Sequence, residues 1–127
     1  ISSVLFGVLH LANPHGTLIS GICITTAGFL FGAAFMYSRS LWLPIAIHFA
    51  WNFMQSGFYG AITSGNEKTN SLLISKIQGS ELITGGEFGP EGSIQAILFC
   101  LIATILLLVL CHKENKIIPP YWKNKLR

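Results

Sequence analysis

Between Ile1 and Ala61 the sequence holds a single Lys, Arg, Asp or Glu, which is Arg39. A water-soluble domain carries roughly a quarter of its residues charged and covers itself with them. So sparse a charge cannot do that, and lipid is the solvent this stretch is built for. The whole chain agrees, with 51% hydrophobic and 10% charged residues. Its 127 residues allow one domain. It opens at Ile1, without Met and already inside an apolar stretch, and reads as a piece of a longer protein.

A membrane-spanning helix needs about 20 largely apolar residues. Three segments qualify: residues 17–37, 41–61 and 94–111. Residues 1–12 read as the end of a fourth span, broken by the turn Asn13-Pro14-His15-Gly16. The expected fold class is therefore all-α, a polytopic transmembrane helix bundle with three full spans plus the end of a fourth, in one domain over residues 1–127. The link from Ser38 to Ser40 is short enough to make an antiparallel hairpin, and Pro44 falls in the first turn of the next helix, where its missing N–H costs little. Residues 62–93 form a polar extramembrane connection with two Lys, four Glu, Gly85-Gly86 and Gly89-Pro90, able to hold short surface helices.

The net charge of +3 does not argue for nucleic acid, because five of the eight basic residues lie in the tail over residues 112–127. A basic tail at a membrane surface places the C-terminus in the cytoplasm, the Arg39 link on the same side and the long connection outside. Cys23, Cys100 and Cys111 are odd in number, lack metal-ligand spacing and sit in apolar runs, so they read as buried apolar residues. Trp42, Tyr121 and Trp122 suit an aromatic belt at the interface, and His15 and His112 read as interfacial.

The helical faces differ. Gly21, Thr25, Gly28 and Gly32 recur at three- and four-residue steps, giving a smooth face for close helix contact. Residues 94–111 are apolar all round, as suits a peripheral helix against lipid. On the third span His48, Asn52, Gln55 and Tyr59 follow at four, three and four residues and share one face. On the first helix Ser3, Phe6, His10 and Asn13 do the same, with Phe6 one turn before His10.

Polar groups at membrane depth are costly, and ionisable ones there mark function by default. Imidazoles shuttle protons, hold metals or donate to an oxyanion, and an asparagine amide donates beside them. The catalytic candidates are accordingly His10, His48 and Asn52, with Phe6 and Trp51 bordering the substrate. Three other readings compete: His10 and His48 as haem ligands on two helices, the same residues as hydrogen-bond glue in a non-catalytic scaffold or immunity factor, and Trp51 as a packing residue. What would activate water is not evident, since the sequence has no Asp and no Glu before Glu67. Depth is a further difficulty. His10 ends its helix on the outer side, whereas His48 lies about 9–10 Å in from the opposite end of its own.

The segments Phe6-Gly7-Val8-Leu9-His10 and His48-Phe49-Ala50-Trp51-Asn52 resemble the Phe-x-x-x-His and His-x-x-x-Asn motifs of the CAAX-protease and bacteriocin-processing family of intramembrane proteases. Ser40-Leu41-Trp42-Leu43-Pro44-Ile45, just before the second motif, reinforces the resemblance, and the stretch Gly85-Gly86-Glu87-Phe88-Gly89-Pro90-Glu91-Gly92 is similar to bacterial members. The resemblance implies an integral membrane protein of a bacterial plasma membrane that acts on a protein or peptide, prenylated proteins and bacteriocin precursors being within the family's range. It implies that His10 and a glutamate activate the attacking water while His48 and Asn52 stabilise the oxyanion. An older view of the family makes His10 and His48 ligands of a divalent metal, zinc. The family's Glu-Glu-x-x-x-Arg motif does not occur in this sequence, so the general base is expected on a helix upstream of Ile1.

Overall fold

The computed structural model describes residues 1–67 and 70–118. Five α-helices follow in order: α1 (Ser2–His10), α2 (Leu18–Ser38), α3 (Trp42–Asn52), α4 (Glu81–Thr84) and α5 (Ile94–Lys113). No strand forms among the described residues, where one isolated bridge joins Thr63 to Asn66. The described part of the chain is thus all-helical, as expected. Two helices, α2 and α5, are long and apolar enough to cross a membrane.

α2 is the axle of the molecule, with α1, α3 and α5 each packed on it. It starts where Thr17 and Ser20 cap each other, each hydroxyl accepting from the other's backbone N–H at 2.8 and 3.1 Å. It stops at Arg39, whose left-handed backbone (φ 57°) lets its N–H close onto the Phe35 carbonyl. Half of the most apolar stretch of α2 is buried inside the molecule, against 17% of that of α5. α5 is therefore the peripheral helix its composition suggested, touching the rest along one face of Ala96, Cys100, Thr104 and Cys111.

The small-residue face of α2 meets α1 over most of its length. Gly28 lies against the Ser3 backbone, Thr25 fills the space beside Gly7, and Gly21 takes the Leu11 side chain. Gly32, expected on the same seam, has nothing near it. Hydroxyls inside the helices turn back on their own chain: Thr25 donates to Gly21 O at 2.8 Å and Thr104 to Cys100 O at 2.6 Å. Such bonds let Ser and Thr sit in apolar surroundings. The three cysteines are free and buried.

The third expected span differs from its sequence reading. α3 ends at Asn52 and continues as one π-helical stretch, Phe53–Phe58, with Tyr59 N–H bonding Met54 O at 2.9 Å. The wider turn changes the register, so the polar stripe breaks after Asn52. Gln55 turns inward to donate to Ile62 O at 2.7 Å, and Tyr59 is exposed.

The connection is more than a surface loop. Residues 72–75 run back along the π turn, with Leu72 N–H on Gly57 O and Leu73 N–H on Phe58 O. Two 3₁₀ turns, Gly86–Phe88 and Pro90–Gly92, then bury Phe88, Glu91 and Gly92 against the helices. Gly65 (φ 73°) is pressed onto the Pro14 carbonyl with no room for a side chain. His15 pairs with Glu87 at 2.9 Å nearby, in an exposed contact. At the opposite end Tyr37 donates to Glu114, and the Arg39 guanidinium to Lys116 O. His112 is exposed there, and Trp42, at the start of α3, is 79% exposed. Tyr121 and Trp122 lie outside the described residues.

Candidate active site

Four helices, α1, α2, α3 and α5, and the connection enclose a cavity of about 40 Å³ whose walls include Phe6, His10, His48, Trp51, Asn52, Ser64 and Glu91. The volume admits a few waters, since about 10–15 Å³ suffices for one. Cys23, Ala96 and Cys100 supply apolar wall from α2 and α5.

Phe6 is the hub. Its ring centroid lies 4.4 Å from that of His10 and 5.8 Å from that of His48, both edge to face. The difference in depth expected for the two histidines therefore does not separate them, because one phenyl ring touches both. Phe31 of α2 backs the arrangement, stacked on His48 at 5.0 Å and edge-on to Phe6 at 5.8 Å. The cavity, at about 40 Å³, is far smaller than a haem.

His10 Nδ1 lies 2.7 Å from Phe6 O. A carbonyl only accepts, so Nδ1 carries the hydrogen, and neutral His10 presents its lone pair at Nε2. That is the tautomer a proton acceptor needs. On α3, the Asn52 main-chain carbonyl accepts from the Ser56 hydroxyl at 2.8 Å, and Asn52 lines the cavity.

Glu91 was not anticipated as a site residue. The Pro90–Gly92 turn carries it into the cavity wall, where the residue is only 6% exposed. Trp51 Nε1 donates to its Oε2 at 3.3 Å, and the Ser64 hydroxyl donates to its Oε1. Trp51, read as bordering the substrate or as packing, lines the cavity and rests on Phe99 of α5 at 6.0 Å. The one sequence hint of Glu91 was an acidic residue held in a Gly-Pro-Glu-Gly turn just before the longest apolar run.

A catalytic zinc takes three protein ligands. Among the described residues no three His, Cys, Asp or Glu side chains are grouped so as to hold a metal, and His10 with His48 alone do not make such a set.

An all-helical fold with two helices long and apolar enough to cross a membrane is compatible with a helical membrane protein. Residues 1–54, which carry both histidines and Asn52, match the family described as Rce1-like, type II CAAX prenyl endopeptidase Rce1-like. The match covers the segment that holds these three residues and less than half of the chain. No curated protein and no solved structure matches it.

Proposed function

We propose that the chain is the part of an intramembrane endopeptidase that carries its two histidines and its oxyanion site, and that it hydrolyses a peptide bond of a membrane-associated protein or peptide. The observation behind this reading is that His10, His48 and Asn52, from two helices far apart in sequence, line one small cavity.

In this mechanism a water in the cavity gives a proton towards His10 Nε2 as it attacks the scissile carbonyl. The glutamate that the family resemblance implies on a preceding helix shares in that step. His48 N–H and the Asn52 amide donate to the oxyanion, and the proton passes to the leaving amine. Lipid and packed rings exclude bulk water, which strengthens each of these interactions. The bundle that holds the site comprises α2, α3 with its π turn, and α5 as spans, with α1 as the end of another. The basic tail lies on the cytoplasmic side.

The test uses the full-length protein in liposomes with a farnesylated peptide ending in a CAAX sequence. His48→Ala and Asn52→Ala should each lower kcat by about 10²–10³, with helicity and melting temperature close to wild type. Full cleavage by both variants would exclude the oxyanion role. Lower melting temperature with unchanged cleavage would favour the packing role instead.

A further inference from the structure

Resting on the proteolytic reading above, we infer that Glu91 is a positioning residue of the active site, the keystone of a hydrogen-bonded bridge that sets the spacing between the His10 and His48 helices. α1 and α3 each pack chiefly against α2 and meet each other at the Phe6–His48 ring contact, so a cross-tie helps to set their mutual distance. The connection supplies one. Beyond the end of α1, Asn13 Nδ2 donates to Ser64 O at 3.1 Å. The Ser64 hydroxyl donates to one carboxylate oxygen of Glu91, and Trp51 of α3 donates to the other. The chain of contacts thus runs from the turn three residues after His10 to the residue between His48 and Asn52.

The bridge is anchored at both ends of the connection. Gly65 N–H bonds Phe88 O at 2.8 Å, Gln55 holds Ile62 O, and Gly89 lies against the Ile62 carbonyl where a side chain would not fit. Ser64 sits in the left-handed region at φ 49°, a conformation that costs an L-residue energy and persists where surroundings impose it. Among the described residues Glu91 has no Lys or Arg partner, so neutral donors alone hold a buried carboxylate. Removing that carboxylate leaves two half-buried donors unpaired and loosens α3 from α1.

A misplacement of about 1 Å at a catalytic group can cost on the order of 100-fold in rate. In the full-length protein, Glu91→Ala should therefore lower kcat by about 10–100-fold with KM within about twofold. Glu91→Gln retains an oxygen for the Trp51 N–H and an amide that Ser64 can accept from, so it should restore kcat to within about fivefold of wild type. With Trp42, Trp122 and any other tryptophan of the full-length protein replaced by Phe, the emission of Trp51 should move to shorter wavelength in Glu91→Ala and return in Glu91→Gln. The fluorescence arm needs no cleavage, so failure of the proteolytic reading leaves the bridge testable. Wild-type kcat in Glu91→Ala overturns the inference, as does a Glu91→Gln variant as slow as Glu91→Ala, which would assign the carboxylate to the chemistry itself. Should Glu91→Ala not fold, Ser64→Ala removes one hydroxyl from the same bridge. A fall in its kcat supports the inference, and wild-type kcat overturns it.

Discussion

Gly28 and Gly32 lie one helical turn apart on α2, yet the same substitution should have opposite effects at the two. A Cβ built on Gly28 would sit 2.8 Å from Ser3 Cα, 3.0 Å from Ser3 Cβ and 3.1 Å from Ser3 O. Ordinary carbon contact is about 3.5–4.0 Å, so the shortfall is about 0.5–1 Å. The obstructing atoms are largely backbone, so relief requires α1 to move as a body. Overpacking of this kind costs about 1–3 kcal/mol. Around Gly32 nothing lies within 4 Å of the built Cβ, so alanine there gains helix propensity of about 0.5–1 kcal/mol. Thermal unfolding in one detergent, followed by circular dichroism, should place Gly28→Ala below wild type and Gly32→Ala at or above it. Because α1 carries His10, Gly28→Ala should also slow cleavage, while Gly32→Ala leaves it unchanged. Equal melting temperatures for the two variants would refute the packing of α1 on α2 described here.

Cys23, Cys100 and Cys111 are 2%, 4% and 0% exposed, so a maleimide should label none of them in the folded protein and all three after denaturation in dodecyl sulfate; rapid labelling of the folded state would contradict their burial. Gly65→Ala adds a methyl against Pro14 O at a φ of 73°, and should lower both melting temperature and cleavage by loosening the connection from the end of α1; unchanged values would mean that contact is dispensable. The hydrogen bond from Lys116, 2.6 Å away, holds the exposed Glu114 carboxyl below its ordinary pKa, and the Lys116 ammonium is raised in return. A depressed carboxyl favours the folded state above its unfolded pKa and loses that contribution as pH falls through the folded value. Lys116→Gln should thus move the Glu114 titration midpoint upward in carbon-13 spectra, and an unmoved midpoint would refute the pairing.

Much of the fold was legible because its causes are local. Residues 17–37 are apolar over the length a bilayer demands, and Thr17 with Ser20 marks the start, so expectation and α2 differ by one residue. The Gly21, Thr25 and Gly28 seam followed from helical spacing alone. The third span was overextended because a π turn leaves no mark in a hydropathy pattern, and that turn removed Gln55 and Tyr59 from the polar face. His10, His48 and Asn52 stood out as polar residues in apolar helices. Glu91 did not, because it lies in a segment whose other Glu and Lys residues look like ordinary surface charge. Its burial depends on the connection folding back over α1 and α3, a tertiary event that no local spacing encodes.

Cleavage kinetics of His10→Ala, His48→Ala and the double variant, measured on one prenylated peptide with the full-length protein, test most directly whether these residues form one hydrolytic site. Residues that act as a unit are strongly non-additive. The double variant should be about as slow as the slower single variant. Losses that multiply in full, or a double variant that still cleaves at the wild-type rate, would contradict a shared site.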